Sequence, residues 1–438
     1  MPIFALQPLQ AWGHSRHDAG MLHPADIRYL VVHCSDTPDE DELTARDIHA
    51  MHLGFGWDGA GYHAIITRDG ICHPGRPEYW QGAHVKGRNH DSVGVCLIGR
   101  HNFTPDQFAA LEALLLTWSG RYPNAEVVGH RDIQQTHKTC PNFDAGNWWA
   151  EHNPLAQKQS MVMREVAPIY QQPPSVDHLP PAPETEALMA EKVNILDPQQ
   201  HNGYVEIELA TDGYKGWIAA DCLCCIPEND IGTAQPIRAA SCVAVAAPDV
   251  KSAPLASLSM GAFVWAGSAE KTFTQISLYG RAGKIQTGYL ASEALKLLTD
   301  KGDDWPAFAE RFLGAPYKWG GRSAAGLDCS ALIQLALGAA GYKVPRDSGP
   351  QQAFMAAAAK PPSDAFHHFQ RGDIIFWNGH VGVCLNAADI LHANAHHSRV
   401  EIEPIKEAIR RIKTTDGAPT SHIGADPLLK LLDRNARA

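Results

Sequence analysis

The chain has 438 residues, 45% of them hydrophobic and 19% charged, with a formal net charge of −11. That length predicts roughly three domains, and the acidic balance argues against a whole-chain surface for nucleic acid or another polyanion. No run of about 18 apolar residues occurs, so no membrane-spanning helix is expected. The opening "MPIFALQPLQAWGHSRHDAG" (within residues 1–24) lacks a basic start followed by an apolar core. No signal peptide is therefore predicted, which favours a cytoplasmic protein over an exported one. Its ten cysteines are expected to be reduced thiols. "CLCC" (Cys222 to Cys225) has no matching second cluster and is not read as a metal site.

Residues 25–158 read as one α/β domain. "IRYLVVH" (Ile27 to His33) is a buried strand rich in β-branched residues. "GYHAIITRDGICH" is a hairpin turning at Asp69-Gly70, and "DSVGVCLIG" is another strand. "TPDQFAALEALLLTWSGRYP" is a helix with Thr104 as cap, Pro105 in the first turn and Gln107 completing a capping box. Phe108, Leu111, Leu115 and Trp118 fall on one face. A strand "AEVVGH" follows and ends at His130. His33 also ends a strand, and Cys140 lies ten residues after His130 in a loop bounded by Pro141. Imidazole and thiolate are the ligands zinc prefers. His63 and His137 are rivals on residue type alone, and spacing leaves the ligand set open. Tyr62 is placed to polarise a carbonyl and Lys138 to steady an oxyanion.

From about Met161 the texture changes. Prolines cluster, strands look short, and two similar units follow one another, residues 159–226 with a Pro-rich insertion and residues 227–300. Each has an apolar opening, a turn, a valine-rich strand and a Gly-aromatic-aliphatic stretch, a pattern of small β-barrels.

Residues 301–438 begin with a helical segment and a glycine-rich loop, then a helix from near Cys329 to Gly341. "RGDIIFWNGHVGVCLN" is a hairpin at Asn378-Gly379, giving an α+β domain. A cysteine at a helix start has its thiolate favoured by the free N–H groups there. Cys329 as nucleophile needs a base and an orienter. His380 opens one strand, and His392 follows at a spacing that suits the neighbouring strand. Cys384, inside an apolar strand, fits a plain packing role.

"YLVVHCSDTP", "GYHAIITRDG", "GRPEYWQGAHVKGRNHDSVGVCLIG", "NFTPDQ" and "KTCPNFD" together resemble the phage-lysozyme branch of the type 2 zinc amidases, whose fold peptidoglycan recognition proteins share. The resemblance implies one zinc ion held by His33, His130 and Cys140, with Tyr62 and Lys138 assisting. The implied reaction is hydrolysis of the amide between N-acetylmuramic acid and L-alanine of peptidoglycan.

The two middle units resemble the bacterial SH3-like modules that accompany wall hydrolases. "PYKWGGRSAAGLDCSALIQ", "PRDSGPQQ", "RGDIIFW", "GHVGVCL" and "LHANAHH" resemble the NlpC-type, papain-like cysteine peptidases. That family implies Cys329 as nucleophile, His380 as base and His392 as the third residue. Ala331 stands where the family has glycine after "DCS". The pairing with SH3-like units is similar to γ-D-glutamyl-diamino-acid endopeptidases, in which Tyr317, Asp328, Ser330 and Ser348 would read a free L-alanine amine.

The expected protein is thus a bifunctional, multidomain peptidoglycan hydrolase acting in muropeptide recycling. A lytic enzyme, phage-derived or exported without a cleaved signal, is one alternative, and a zinc-free peptidoglycan-binding protein is another. Peptidoglycan or muropeptide is the expected partner, and oligomeric state is not indicated.

Overall fold

The apolar run at residues 27–33 folds as strand β1, Tyr29–Cys34, in a computed structural model that describes residues 21–134, 139–175, 178–226, 233–296, 304–360 and 366–436. After β1 come α1 (Ala45–Gly54), β2 (Ala64–Ile66), β3 (Cys72–Pro74), β4 (Ser92–Leu97), α2 (Pro105–Arg121), β5 (Glu126–Gly129), α3 (His130–Ile133) and α4 (Ala145–His152). The sheet order is β3-β2-β4-β1-β5. β1 runs parallel to both β4 and β5, and only β3 is antiparallel to its neighbour. Strands in the middle of such a sheet are covered on both faces and read as continuous apolar runs rather than alternating ones. β4 is buried at every position, and so is β1 after Tyr29.

The helix expected at residue 104 is α2. The Thr104 hydroxyl accepts from the Gln107 N–H, and the Gln107 carboxamide accepts from the Thr104 N–H. Leu111, Leu115 and Trp118 are buried on one face, while Phe108 joins Phe103, Phe143 and Trp148 in a ring cluster. Between β2 and β3 the chain turns at Gly70, whose φ of 78° is open to glycine at little cost.

The chain divides into two compact units, one of Met1–Lys158, Pro198–Gly203 and Tyr279–Lys284, the other of Gln159–Asp197, Tyr204–Leu278 and Ile285–Ala438. In the second, β6 (Gln159–Val162), β7 (Val166–Tyr170), β8 (Thr185–Leu188), β9 (Lys192–His201), β10 (Tyr204–Leu209), β11 (Lys215–Ala219) and β12 (Leu223–Cys225) form one sheet, ordered β12-β6-β9-β10-β11-β7-β8. β10 alternates strictly, with Val205, Ile207 and Leu209 buried. A second sheet holds β13 (Thr233–Pro236), β14 (Ser241–Val245), β15 (Pro254–Ser259), β16 (Phe263–Glu270), β17 (Phe273–Tyr279) and β18 (Ile285–Ala291), ordered β13-β16-β17-β18-β14-β15.

The last part contains α5 (Pro306–Glu310), the short ladder β19 (Arg322–Ser323) and β20 (Gly326–Leu327), α6 (Cys329–Ala339) and α7 (Ser348–Phe354). A sheet follows from β21 (Ile374–Trp377), β22 (His380–Cys384), β23 (Asp389–Asn394) and β24 (Arg399–Pro404), then α8 (Ile405–Ile412), β25 (Ser421–Ile423) and α9 (Ala425–Ala436). Its order is β24-β23-β22-β21-β25, antiparallel throughout. The two-residue loop at Asn378-Gly379 closes β21 on β22, with Gly379 at φ 75°. α6 is capped by the Asp328 carboxylate on the Ala331 N–H and packs on β22 and β23. The other sheet face presents Ile375, Trp377, Cys384 and Ile390 to Ile405, Ala408 and Ile412 of α8, so Cys384 is a core residue. No helix among the described residues is long and apolar enough to cross a membrane.

Candidate active sites

The parallel register of β1 and β5 pairs Val32 with Gly129, so the next residues, His33 and His130, stand side by side at the strands' carboxyl ends. Their ring centroids are 4.6 Å apart. Cys140 lies at the same place. Its carbonyl accepts from the Arg131 N–H at 3.0 Å, and its Sγ accepts from the Cys34 N–H at 3.3 Å. One ligand atom from each of His33, His130 and Cys140 lies within 4.8 Å of the others, the one group of this kind among the described residues. Two imidazoles and a sulfur at this separation suit a tetrahedral zinc ion that keeps a fourth position for water. The Cys34 side chain first, and then burial, push the Cys140 thiol well above its ordinary value, while the backbone N–H aimed at Sγ works the other way.

His63 is excluded as a ligand by its own bonds: Nε2 meets the Trp80 carbonyl at 2.9 Å, and Nδ1 accepts from the Gly94 N–H at 3.0 Å. Tyr62 lies beside His33, its ring tilted to the imidazole with centroids 5.1 Å apart. Burial, reinforced by Cys96 and Cys140, pushes its hydroxyl well above the ordinary phenol value, so it remains a hydrogen-bond donor. Lys138 and His137 lie outside the described residues.

One residue at this site carried no assignment from the sequence. His84 Nδ1 meets His33 Nε2 at 3.0 Å, while His33 Nδ1 faces Cys140 Sγ at 3.8 Å. Burial first, then the nearby His63, holds His84 well below the ordinary imidazole value, so it is a neutral orienting partner. Gly82 and Gly94 wall it in, since a Cβ at either would meet the His84 ring at 2.4 or 2.5 Å. A histidine in "GAHVKG" offers no pattern that distinguishes this role.

The second site lies at the N-terminus of α6. Cys329 is its first residue, buried, with Sγ 3.9 Å from the Gly379 carbonyl in the turn that leads to His380. His380 Nε2 meets His392 Nδ1 at 2.8 Å, and His392 Nε2 meets Glu403 Oε1 at 2.7 Å. Glu403 is ion-paired with Arg411 of α8. Burial pushes the Cys329 thiol up to about 12, helped by the Asp328 charge, and pulls His380 down to about 3, helped by His392 and Arg411. Burial thus favours an uncharged thiol and a neutral imidazole, the protonation state in which His380 can take the thiol proton.

Of the four residues expected to read an amine, Tyr317, Asp328 and Ser330 gather around Cys329. Tyr317 is half-buried, its hydroxyl pushed up to about 12 by burial first and then by its neighbours Cys329 and Asp328. The Ser330 hydroxyl donates to Asp328 at 3.2 Å. Ser348 begins α7, beyond Arg346 and Asp347. Asp328 is not an unpaired carboxylate. Arg346 grips it with two nitrogens at 2.9 and 2.7 Å, and the Gly320 and Ala331 N–H groups donate to it at 3.0 and 2.9 Å. Arg346 in turn donates to the Thr185 hydroxyl of β8 at 2.7 Å. The Asp347 carboxyl is pushed up by loss of water, against the pull of Arg346, and further by Asp328, Glu184 and Asp212. Asp328, Glu184 and Asp212 thus act on Asp347 together, with Arg346 opposing them.

Residues 23–143 match the N-acetylmuramoyl-L-alanine amidase family, and residues 314–416 match the NlpC/P60 family. The chain is 40% identical over 136 residues to the endolysin of Enterobacteria phage T3, a match covering 29% of this chain and 89% of the phage protein. It is 33% identical over 115 residues to the gamma-D-glutamyl-L-lysine dipeptidyl-peptidase of Bacillus cereus, covering 24% of this chain and 33% of that one. Among solved structures, an NlpC/P60 family protein from Bacillus cereus matches 61% of this chain and 99% of its own at 20% identity and a TM-score of 0.49. With a metal-ligand set in the first matched segment and a cysteine–histidine pair in the second, the chain belongs to the N-acetylmuramoyl-L-alanine amidases through its N-terminal part and to the NlpC/P60 family through its C-terminal part, and is a peptidoglycan hydrolase.

Proposed function

We propose that the two sites act in series on muropeptides: an amidase frees the stem peptide from N-acetylmuramic acid, and a cysteine peptidase then cuts the γ-D-glutamyl–diamino acid bond of the freed peptide. The observation that carries this reading is the presence of two groups, His33–His130–Cys140 and the His380–His392 pair with Cys329 Sγ at the turn before it. They share no residue.

His33, His130 and Cys140 would hold zinc, which supplies Lewis-acid polarisation and an activated water when bound. The Tyr62 hydroxyl donates to the reacting carbonyl oxygen, and Lys138 adds positive charge beside it on the family pattern. His84 keeps the His33 ring in place. In the second reaction the Cys329 thiol gives its proton to His380, and sulfur attacks the γ-carbonyl of D-glutamate. The diamino-acid amine leaves with that proton, and water releases the thioester. The N–H groups at the start of α6 lie where thiolate charge develops.

A free L-alanine amine suits the Tyr317–Ser330–Ser348 end of the site and its surrounding carboxylates. With Asp328 already matched by Arg346, the negative charge in excess comes from Asp347, Glu184 and Asp212. The two middle sheets are read as SH3-like modules over residues 159–226 and 227–300, and the protein as one that works in the cytoplasm on soluble fragments. The kinship with a phage endolysin favours a second reading, lysis of the intact wall. Incubation with intact sacculi and with soluble muropeptides, followed by product masses, tests both. Release of L-Ala-γ-D-Glu from soluble muropeptides is expected. Efficient digestion of sacculi with no such dipeptide would overturn the recycling reading.

A further inference from the structure

His380, His392 and Glu403 form one line across three strands. β23 and β24 pair His392 with Glu401, so Glu403, two residues further along, is the diagonal neighbour on the same face. β22 and β23 pair Cys384 with Ile390, which puts His380, His392 and Glu403 on the face that carries α8. Gly382 keeps the line clear: a Cβ there would lie 3.1 Å from His392 Cβ and 2.8 Å from Ile390 Cδ1.

The protons along this line have one consistent order. Burial opposes charge on Glu403, but the bonds from His392 and Arg411 outweigh it and hold the carboxyl at about 2. A carboxylate only accepts, so His392 Nε2 carries the hydrogen and donates it. His392 Nδ1 is then the acceptor, and His380 Nε2–H donates to it. That leaves His380 Nδ1 as the basic nitrogen, the one that takes the Cys329 proton.

We propose that Glu403, anchored by Arg411, is a positioning residue of the peptidase site: it fixes the tautomers of His392 and His380 and supplies the negative charge that stabilises His380 when it becomes imidazolium. The proposal rests on the assignment of Cys329 and His380 made above. In the transfer it supports, the S–H bond breaks, an N–H bond forms on His380 Nδ1, and no proton leaves the pair. His380 feels His392 and Glu403 from β23 and β24 and Arg411 from α8, and His392 also feels His397. Glu403 is the one anion among them.

The test uses the full chain. The pH profiles of free-tripeptide cleavage and of iodoacetamide alkylation at Cys329, located by peptide mass, are measured for wild type, Glu403→Gln and Arg411→Gln. Removing a nearby negative charge lowers the macroscopic pKa values of a coupled pair, and removing a positive one raises them. Glu403→Gln should cut peptide cleavage 10- to 100-fold and move both profiles acidward, by about one unit on the limb governed by His380. Arg411→Gln should move them the other way. A residue that merely holds the fold would lower the rate and leave the limbs where they are. If Glu403→Gln is not recovered folded, Arg411→Gln decides alone. Unmoved alkylation profiles in folded variants overturn the proposal, even where cleavage is slowed. Unimpaired cleavage by Cys329→Ala would instead overturn the assignment of the site itself.

Discussion

Cys140 accepts a backbone N–H from Cys34 and faces His33 Nδ1, so its sulfur completes the candidate ligand set. Cys140→Ala should take zinc from about one ion per chain to a small fraction. Amidase activity should go with it while tripeptide cleavage persists. Metal analysis beside the two assays checks this, and retention of both metal and amidase activity would refute the ligand set. Asp328 behaves differently from a free recognition carboxylate. Asp328→Asn would strand the Arg346 guanidinium, whose side chain is 1% exposed. Breaking a buried pair costs on the order of 3–5 kcal/mol, so a lowered melting temperature is expected with the loss of cleavage. Tyr317→Phe is the cleaner probe of amine reading, because it removes one hydroxyl and leaves the ion pair intact. It should weaken cleavage of free tripeptide with no change in melting temperature.

At the scale of elements, the sheet of the peptidase half depends on one small residue. Gly382→Ala would press on Ile390 and on His392. Overpacking of this kind costs about 1–3 kcal/mol. Peptidase activity should fall at least tenfold while zinc content and amidase activity hold; an unaltered rate would show that the line of histidines tolerates displacement. The elements themselves were largely legible. Capping residues at Thr104 and Gln107, turn residues at Asp69-Gly70 and Asn378-Gly379, and apolar runs at β1 and β4 each carry a local cause, and each folds accordingly. The motifs around Cys140 and Cys329 carry the expected ligand set and nucleophile, and the structure gathers His33, His130 and Cys140 into one group. What escaped was set by register and by distance along the chain. Glu403 meets His392 through a diagonal across two strands, and Arg346 meets Asp328 from eighteen positions away in a loop. His84 reaches His33 across fifty-one positions. None of these partnerships leaves a spacing in the sequence.

For the whole molecule, two sites without a common residue should fail separately. A chelator should stop the amidase and spare the peptidase, and Cys329→Ala should do the reverse. A folded single-site variant silent in both reactions would end the two-site account. The order of the reactions has its own check. In His33→Ala, peptide still linked to muramic acid should accumulate uncut, while tripeptide supplied free is still cleaved. Equal cleavage of linked and free peptide would break the sequence of steps and favour a lytic role.

Strand β8 carries a consequence for how this protein can be taken apart. Glu186 of β8 is ion-paired with Lys318 and accepts from the Arg322 N–H at 2.8 Å, Arg322 is clasped by Glu191 at 2.9 and 3.1 Å, and Thr185 holds Arg346. A cut near residue 301 would therefore strand the buried Arg322 guanidinium and take the Thr185 hydroxyl from Arg346. Anyone recombining wall hydrolases should transplant the first middle sheet together with the peptidase as a single cassette, because the sheet is part of the floor on which the cysteine stands rather than a tether to be exchanged.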